Sequence, residues 1–163
     1  MKKYFLVFFL GLISIFILGS CSSMMTGMMK NKMFKHYQSN LDFEATYDHM
    51  YKNIDNSENW TIISTYDNKE RYSSEGELLN YKVIQICHPE TAYKILIDDE
   101  TKYMGGMIPL KLCIYEKNSG GVFMSFMNTE MMSDMFDDES ISSTILECSE
   151  ELIEYIDDIK TDE

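Results

Sequence analysis

Ile108-Pro-Leu-Lys-Leu-Cys-Ile-Tyr-Glu116, then Asn118-Ser-Gly-Gly121, then Val122-Phe-Met-Ser-Phe-Met127 decide the fold. Ile108, Leu110, Leu112 and Ile114 alternate with Pro109, Lys111, Cys113 and Tyr115. That period of two marks a strand with one buried face. The Asn-Ser-Gly-Gly run is a turn signal, and the six residues after it form a second strand. Residues 108–127 are therefore predicted to form an antiparallel hairpin. Its apolar face needs a cover, which helices supply most economically.

Working outward, Tyr81-Lys-Val-Ile-Gln-Ile-Cys87 and Trp60-Thr-Ile-Ile-Ser-Thr-Tyr66 are rich in aromatic and β-branched residues and read as two more strands. His88-Pro89-Glu90 opens a helix. Proline at the first helical position gives up no intrahelical hydrogen bond, and Glu90 complements the helix dipole. Ala92, Tyr93 and Leu96 form the apolar side of this helix, and Gly105 and Gly106 break the chain beyond it. Phe43, Tyr47, Met50, Tyr51 and Ile54 share one face of a helix, as do Ile141, Ile145, Cys148, Leu152, either Tyr155 or Ile156, and Ile159. A short strand is expected near residues 40–43. The fold class is α+β: a mostly antiparallel sheet with helices packed on one face.

The first residues carry an address. Lys2 and Lys3 precede an apolar run from Tyr4 to Leu18, which ends in Leu18-Gly19-Ser20-Cys21. A basic start, a short apolar core and small residues before a cut define a secretory leader. A cysteine at the cut makes it a lipobox. The run is too short for a comfortable membrane span. The expected organisation is a signal peptide at 1–20, a lipidated, basic, Met-rich tether at 21–40 and a single α+β domain at 41–163. Cys21 would carry the acyl chains, palmitate among them, and hold the protein on a bacterial cell envelope. Ser22 after the lipidated cysteine favours the outer membrane, facing the periplasm, in a Gram-negative cell.

Composition narrows the function classes. Loss of Lys2 and Lys3 with the leader takes the formal charge from −13 to −15. Residues 22–40 hold Lys30, Lys32 and Lys35 and no acids; residues 41–163 hold nine Lys or Arg against 27 acids. A basic tether suits an anionic membrane surface. The net charge of the domain predicts that it is held off that surface. No basic patch exists to neutralise phosphates, so nucleic acid is not expected as a partner. Of the four cysteines, Cys21 is taken by lipid, which leaves Cys87, Cys113 and Cys148 and prevents full pairing within the chain.

Val83-Ile-Gln-Ile-Cys87-His88-Pro89, then Ala92 and Leu96, then Ile108-Pro109 opening a strand that ends in Ile114-Tyr115-Glu116 resemble the domain of unknown function 302 family. The resemblance covers residues 41–158. It implies a compact α+β domain similar in fold to the TATA-box-binding protein, with a homodimer as a plausible assembly, and it implies no activity. The chain departs from the family pattern twice. Cys87-His88-Pro89 stands where the family shows Cys-Asn-Pro, and Pro109-Leu110 where it shows Pro-Cys.

Candidate chemistry rests on sulfur. Met25, Met29 and Met33 are spaced for one helix face, with His36 nearby. Thioethers suit Cu(I), so the tether is a candidate copper site. Methionine also fills irregular gaps and rests on lipid, which is the plainer account. Cys87 and Cys113 share a sheet face if their strands are neighbours, and with His88 they form a candidate thiol-redox, metal or haem site. Two buried cysteines packing as small apolar residues is the plainer account there too. His88 is also placed to cap a helix, and Cys148 reads as core. No phosphate loop, nucleophile elbow or paired-His motif is present. No catalytic residue is expected. The leading expectation is a non-catalytic accessory domain that binds a small ligand or an envelope protein on its exposed sheet face; the alternative is a soft-metal, haem or redox protein.

Overall fold

A computed structural model of the chain describes residues 32–161. The stretch expected to be a leader at 1–20, and Cys21, Met25 and Met29, lie outside the described residues. The predicted hairpin is present. Its strands are Leu110–Glu116 and Val122–Met127. Gly120 and Gly121 turn it, with φ of 92° and 88°. The Gly120 N–H donates to the Lys117 carbonyl at 2.8 Å, and the Lys117 N–H to the Gly121 carbonyl at 3.2 Å. Positive φ is cheap only for glycine. A Cβ on Gly121 would also lie 3.1 Å from Gln38 Nε2.

Numbered along the chain, the strands are β1 (Phe34–Ser39), β2 (Thr61–Asp67), β3 (Tyr81–Cys87), β4 (Leu110–Glu116) and β5 (Val122–Met127). They form one sheet in the order β1-β5-β4-β3-β2, and every neighbouring pair is antiparallel. β1 corrects two expectations. The strand expected near residues 40–43 lies at Phe34–Ser39, so the domain begins inside the stretch read as tether. Its composition, Phe-Lys-His-Tyr-Gln-Ser, shows no apolar alternation because only one of its inward residues is large and apolar. Tyr37 stacks on Phe126 at 6.4 Å, while Ser39 reaches Thr46. Backbone pairing holds the strand instead. It runs beside β5, and the chain end adds bonds from the Asn40 N–H to the Ile159 carbonyl and from the Thr161 N–H to the Gln38 carbonyl, both 2.8 Å.

The helices are α1 (Phe43–Asn56), α2 (Asn68–Arg71), α3 (Pro89–Ile97), α4 (Thr129–Ser133) and α5 (Glu139–Asp157). Asp42 caps α1 through the Ala45 N–H, and Asp138 caps α5 through the N–H groups of Ser140 and Ile141. Gly105 and Gly106 lie within a short 3-10 turn, Lys102–Met107, rather than in an open break. A Cβ on Gly105 would meet Leu96 Cδ2 at 2.7 Å, so a small residue lets this turn close on α3. α1 and α5 cover one sheet face. Met50 and Ile54 of α1 and Leu152 and Ile156 of α5 pack there with Ile84, Ile86, Leu112, Ile114, Met124 and Phe126. A second apolar cluster joins Ile95, Met104, Met132, Phe136, Ile141 and Ile145 away from the sheet centre.

A buried hydroxyl relay fixes β1 to α1. Thr46 Oγ1 donates to the Asp42 carbonyl at 2.7 Å, Ser39 Oγ donates to Thr46 Oγ1 at 2.8 Å, and the Leu41 N–H donates to Ser39 Oγ at 3.1 Å. Thr46→Val removes the acceptor for Ser39 in a dry site and should cost about 1–3 kcal/mol in urea unfolding. Gly121→Ala should cost about 1–2 kcal/mol in the same measurement, because alanine is strained at its φ.

Candidate functional site

The two apolar clusters meet imperfectly. Where β3 runs into α3, a cavity of about 60 Å³ remains between them. Trp60 and Ile86 line it from the sheet side, and Ile95, Met107, Met132 and Ile145 from the helical side. One water needs about 10–15 Å³ on this measure, so the space suits a molecule of a few heavy atoms. It does not suit haem, since pockets for larger ligands run to hundreds of Å³.

One wall is polar. His88 is the N-cap of α3, and its Nδ1 accepts from the Thr91 N–H at 3.4 Å and lies 3.0 Å from Thr91 Oγ1. The same hydroxyl lies 3.2 Å from Cys148 Sγ, so Thr91 joins α3 to α5. Trp60 meets the His88 ring edge to face, with centroids 5.5 Å apart. Two other polar atoms around the cavity have no hydrogen-bond partner: the indole Nε1 of Trp60 and the hydroxyl of Thr129. Both residues are buried, at 7% and 6% exposure. Each such orphan costs about 1–3 kcal/mol, a large share of a domain's stability.

No Lys, Arg, Asp or Glu lines the cavity. Burial pushes the Cys87 thiol up from its usual value. Burial also raises the Cys148 thiol, partly opposed by the Thr91 hydrogen bond. A reactive cysteine needs surroundings that favour the thiolate, and burial disfavours it at both positions. Beyond His88 and Cys148 lies an acidic groove with Glu90, Glu147, Glu150, Glu151 and Glu154. Small anions would be repelled from this side.

The family model described as "Domain of unknown function DUF302" matches residues 35–159. The chain belongs to the DUF302 family. The crystal structure of an uncharacterized conserved DUF302 protein from Bacillus stearothermophilus has a similar fold, with a TM-score of 0.64 at 16% identity over 77% of this chain and 96% of that one. No functionally curated protein matches the chain. The family match begins at Lys35, in agreement with β1 as the first element of the DUF302 domain.

The DUF302 domain separates the residues that the sequence grouped. Cys87 and Cys113 do share the open sheet face, but Cys113 is opposite Val83, four residues along β3 from Cys87. At about 3.3 Å per residue they are about 13 Å apart, beyond the ~7 Å limit for a disulfide. All three described cysteines are free. Cys87 and His88 instead meet Cys148, a core position of α5, at the cavity wall. His36 lies on β1 opposite Ser125, and Met33, 42% exposed, precedes that strand. Among the described residues no group of three or more His, Cys, Asp or Glu is arranged to hold a metal. Trp60, Thr91 and Thr129 were not foreseen as site residues. Thr91 could have been found three positions after the His88 cap; Thr129 gives no sequence signal.

The raised thiols have a testable consequence. With Cys148 raised above the ordinary 9.0, the unfolded chain ionises at lower pH than the folded one. Stability is full below the ordinary value and is lost as pH rises through the folded one. Iodoacetamide labelling of the native domain should therefore modify Cys148 last and only at alkaline pH, with all three thiols labelled in urea.

Proposed function

We propose that this protein is a lipid-anchored envelope protein whose DUF302 domain binds a small, neutral, largely apolar molecule bearing a hydrogen-bond acceptor. The observation that carries the reading is the pair of partnerless polar atoms, Trp60 Nε1 and Thr129 Oγ1, beside an apolar cavity. An indole N–H can only donate, so it selects an acceptor such as a carbonyl or ether oxygen. The lining has no Lys or Arg to balance a bound anion, and burial disfavours the Cys148 thiolate, which supports a neutral ligand. The volume supports a small one. This moves the ligand from the open sheet face, where the sequence placed it, to the helical side. Support for the envelope address is the Leu18-Gly19-Ser20-Cys21 lipobox.

A second reading rests on the sulfur content of the same cavity. Cys148, Met107 and Met132 line it, and soft sulfur ligands suit Cu(I). Binding there would have to displace the thiol proton.

Trp60 is the only tryptophan, so its indole N–H gives a single NMR signal. In the chain starting at residue 21 with Cys21→Ser, butanone is expected to shift that signal downfield in a saturable way, and Trp60→Phe or Thr129→Val to weaken butanone binding at least tenfold. An indole signal unmoved by butanone and by other small ketones or ethers would refute the ligand reading. A signal that moves only with Cu(I) would favour the second.

A further inference from the structure

We infer that the open face of the sheet is a membrane-docking surface that lies on anionic lipid next to the anchor. The inference rests on the lipid-anchor reading above and adds an orientation to it.

The strand positions on the face not covered by α1 and α5 hold no acid, and Glu70 beside Arg71 lies at its β2 edge. Its positions are Phe34, His36 and Gln38 on β1; Phe123, Ser125 and Met127 on β5; Lys111, Cys113 and Tyr115 on β4; Tyr81, Gln85, Cys87 and Val83, the last buried beneath its neighbours, on β3; and Thr61, Ser64 and Tyr66 on β2. A chain with 27 acids has none among these positions. Aromatic rings run across it: Tyr81 stacks on Tyr115 at 5.6 Å, and Tyr115 on Phe123 at 5.9 Å. Cations sit over the two ends of this patch. Lys117 Nζ is 3.4 Å from the Phe123 centroid, and the Arg71 guanidinium 5.2 Å from that of Tyr66. Lys111 projects from the middle and is exposed. Aromatic rings beside lysine and arginine are the composition that settles at a lipid headgroup region.

Net charge alone predicts repulsion from an anionic surface, but its distribution decides otherwise. Each cation near such a surface contributes about 1 kcal/mol. Acids on the outer sides of α1 and α5 lie behind the sheet and a helical layer, roughly 10 Å thick or more. At physiological salt the Debye length is about 8 Å, so their repulsion is largely screened. Continuity supports the same occupant. Phe34, 43% exposed, lies on this face thirteen residues after Cys21, and Lys30 and Lys32 precede it. A lipid on Cys21 would make docking intramolecular, so weak face contacts suffice.

The test uses the full-length protein, expressed with its leader and placed either in detergent or in vesicles. Lysines are labelled with a water-soluble acetylating reagent and read by mass spectrometry. On phosphatidylethanolamine–phosphatidylglycerol vesicles, labelling of Lys111 and Lys117 should fall at least threefold relative to detergent, while Lys52 and Lys102 stay unchanged. High salt or Lys111→Glu should restore labelling of Lys117. Equal labelling in vesicles and detergent would overturn the inference. So would protection that persists in detergent and grows with protein concentration, since a second copy would then cover the face. The mass of the Cys21 peptide reads the lipid anchor separately, so the anchor and the docking face can fail independently.

Discussion

The one-sided covering of the sheet is the constraint on which the rest of the molecule depends. Ile84, Ile86, Leu112, Ile114, Met124 and Phe126 all point to the same side because successive strand residues alternate faces and the registers align them. Burying each such side chain contributes about 1.5–3 kcal/mol, so α1 and α5 must lie across that side. A slip of one residue in any strand would turn its apolar set to solvent. Lys82, on the inward side near the sheet edge, is accommodated by Glu44 at 2.7 Å and by the rings of Tyr47 and Phe43.

The cavity is a consequence of that arrangement. α5 is long enough to serve two cores: its C-terminal half packs on the sheet through Cys148, Leu152 and Ile156, and its N-terminal half meets α3 and α4 through Ile141 and Ile145. Native interiors are filled densely, so a gap at the junction of two cores is a place where side chains had no common packing solution. Here the gap coincides with a helix cap, an indole and the Cys148 thiol. Thr91 closes the wall by serving His88 and Cys148 with one hydroxyl.

Charge is distributed by the same geometry. Acidic residues fill the exposed sides of the helices, where solvation is cheap, and are missing from the open sheet face. His49 shows how the helical layer is held despite this: its Nε2 lies 3.0 Å from the Tyr155 carbonyl, while Ser57, Asn59 and Tyr155 all donate to Glu151.

Strands β2 to β5 and helices α1, α3 and α5 were legible because each carries a local period of apolar residues or a marked start, such as His88-Pro89 or Asn118 to Gly121. β1 was not, because an edge strand held by backbone bonds needs little apolar side-chain pattern. Likewise α4 has only five residues, too few for a helical period to register. The candidate site was legible in parts: Cys87 and His88 were named, while Trp60, Thr91, Thr129 and Cys148 were not joined to them. By itself the sequence determined the α+β class, the Leu18-Gly19-Ser20-Cys21 motif and the acidic balance. Only the tertiary structure decided that Cys113 stands apart from Cys87, that Cys148 joins His88 through Thr91, and that the sheet's open face is free of acids. The reason is physical: periodicity and composition are local properties of a chain, whereas strand register and the meeting of two cores bring together residues dozens of positions apart.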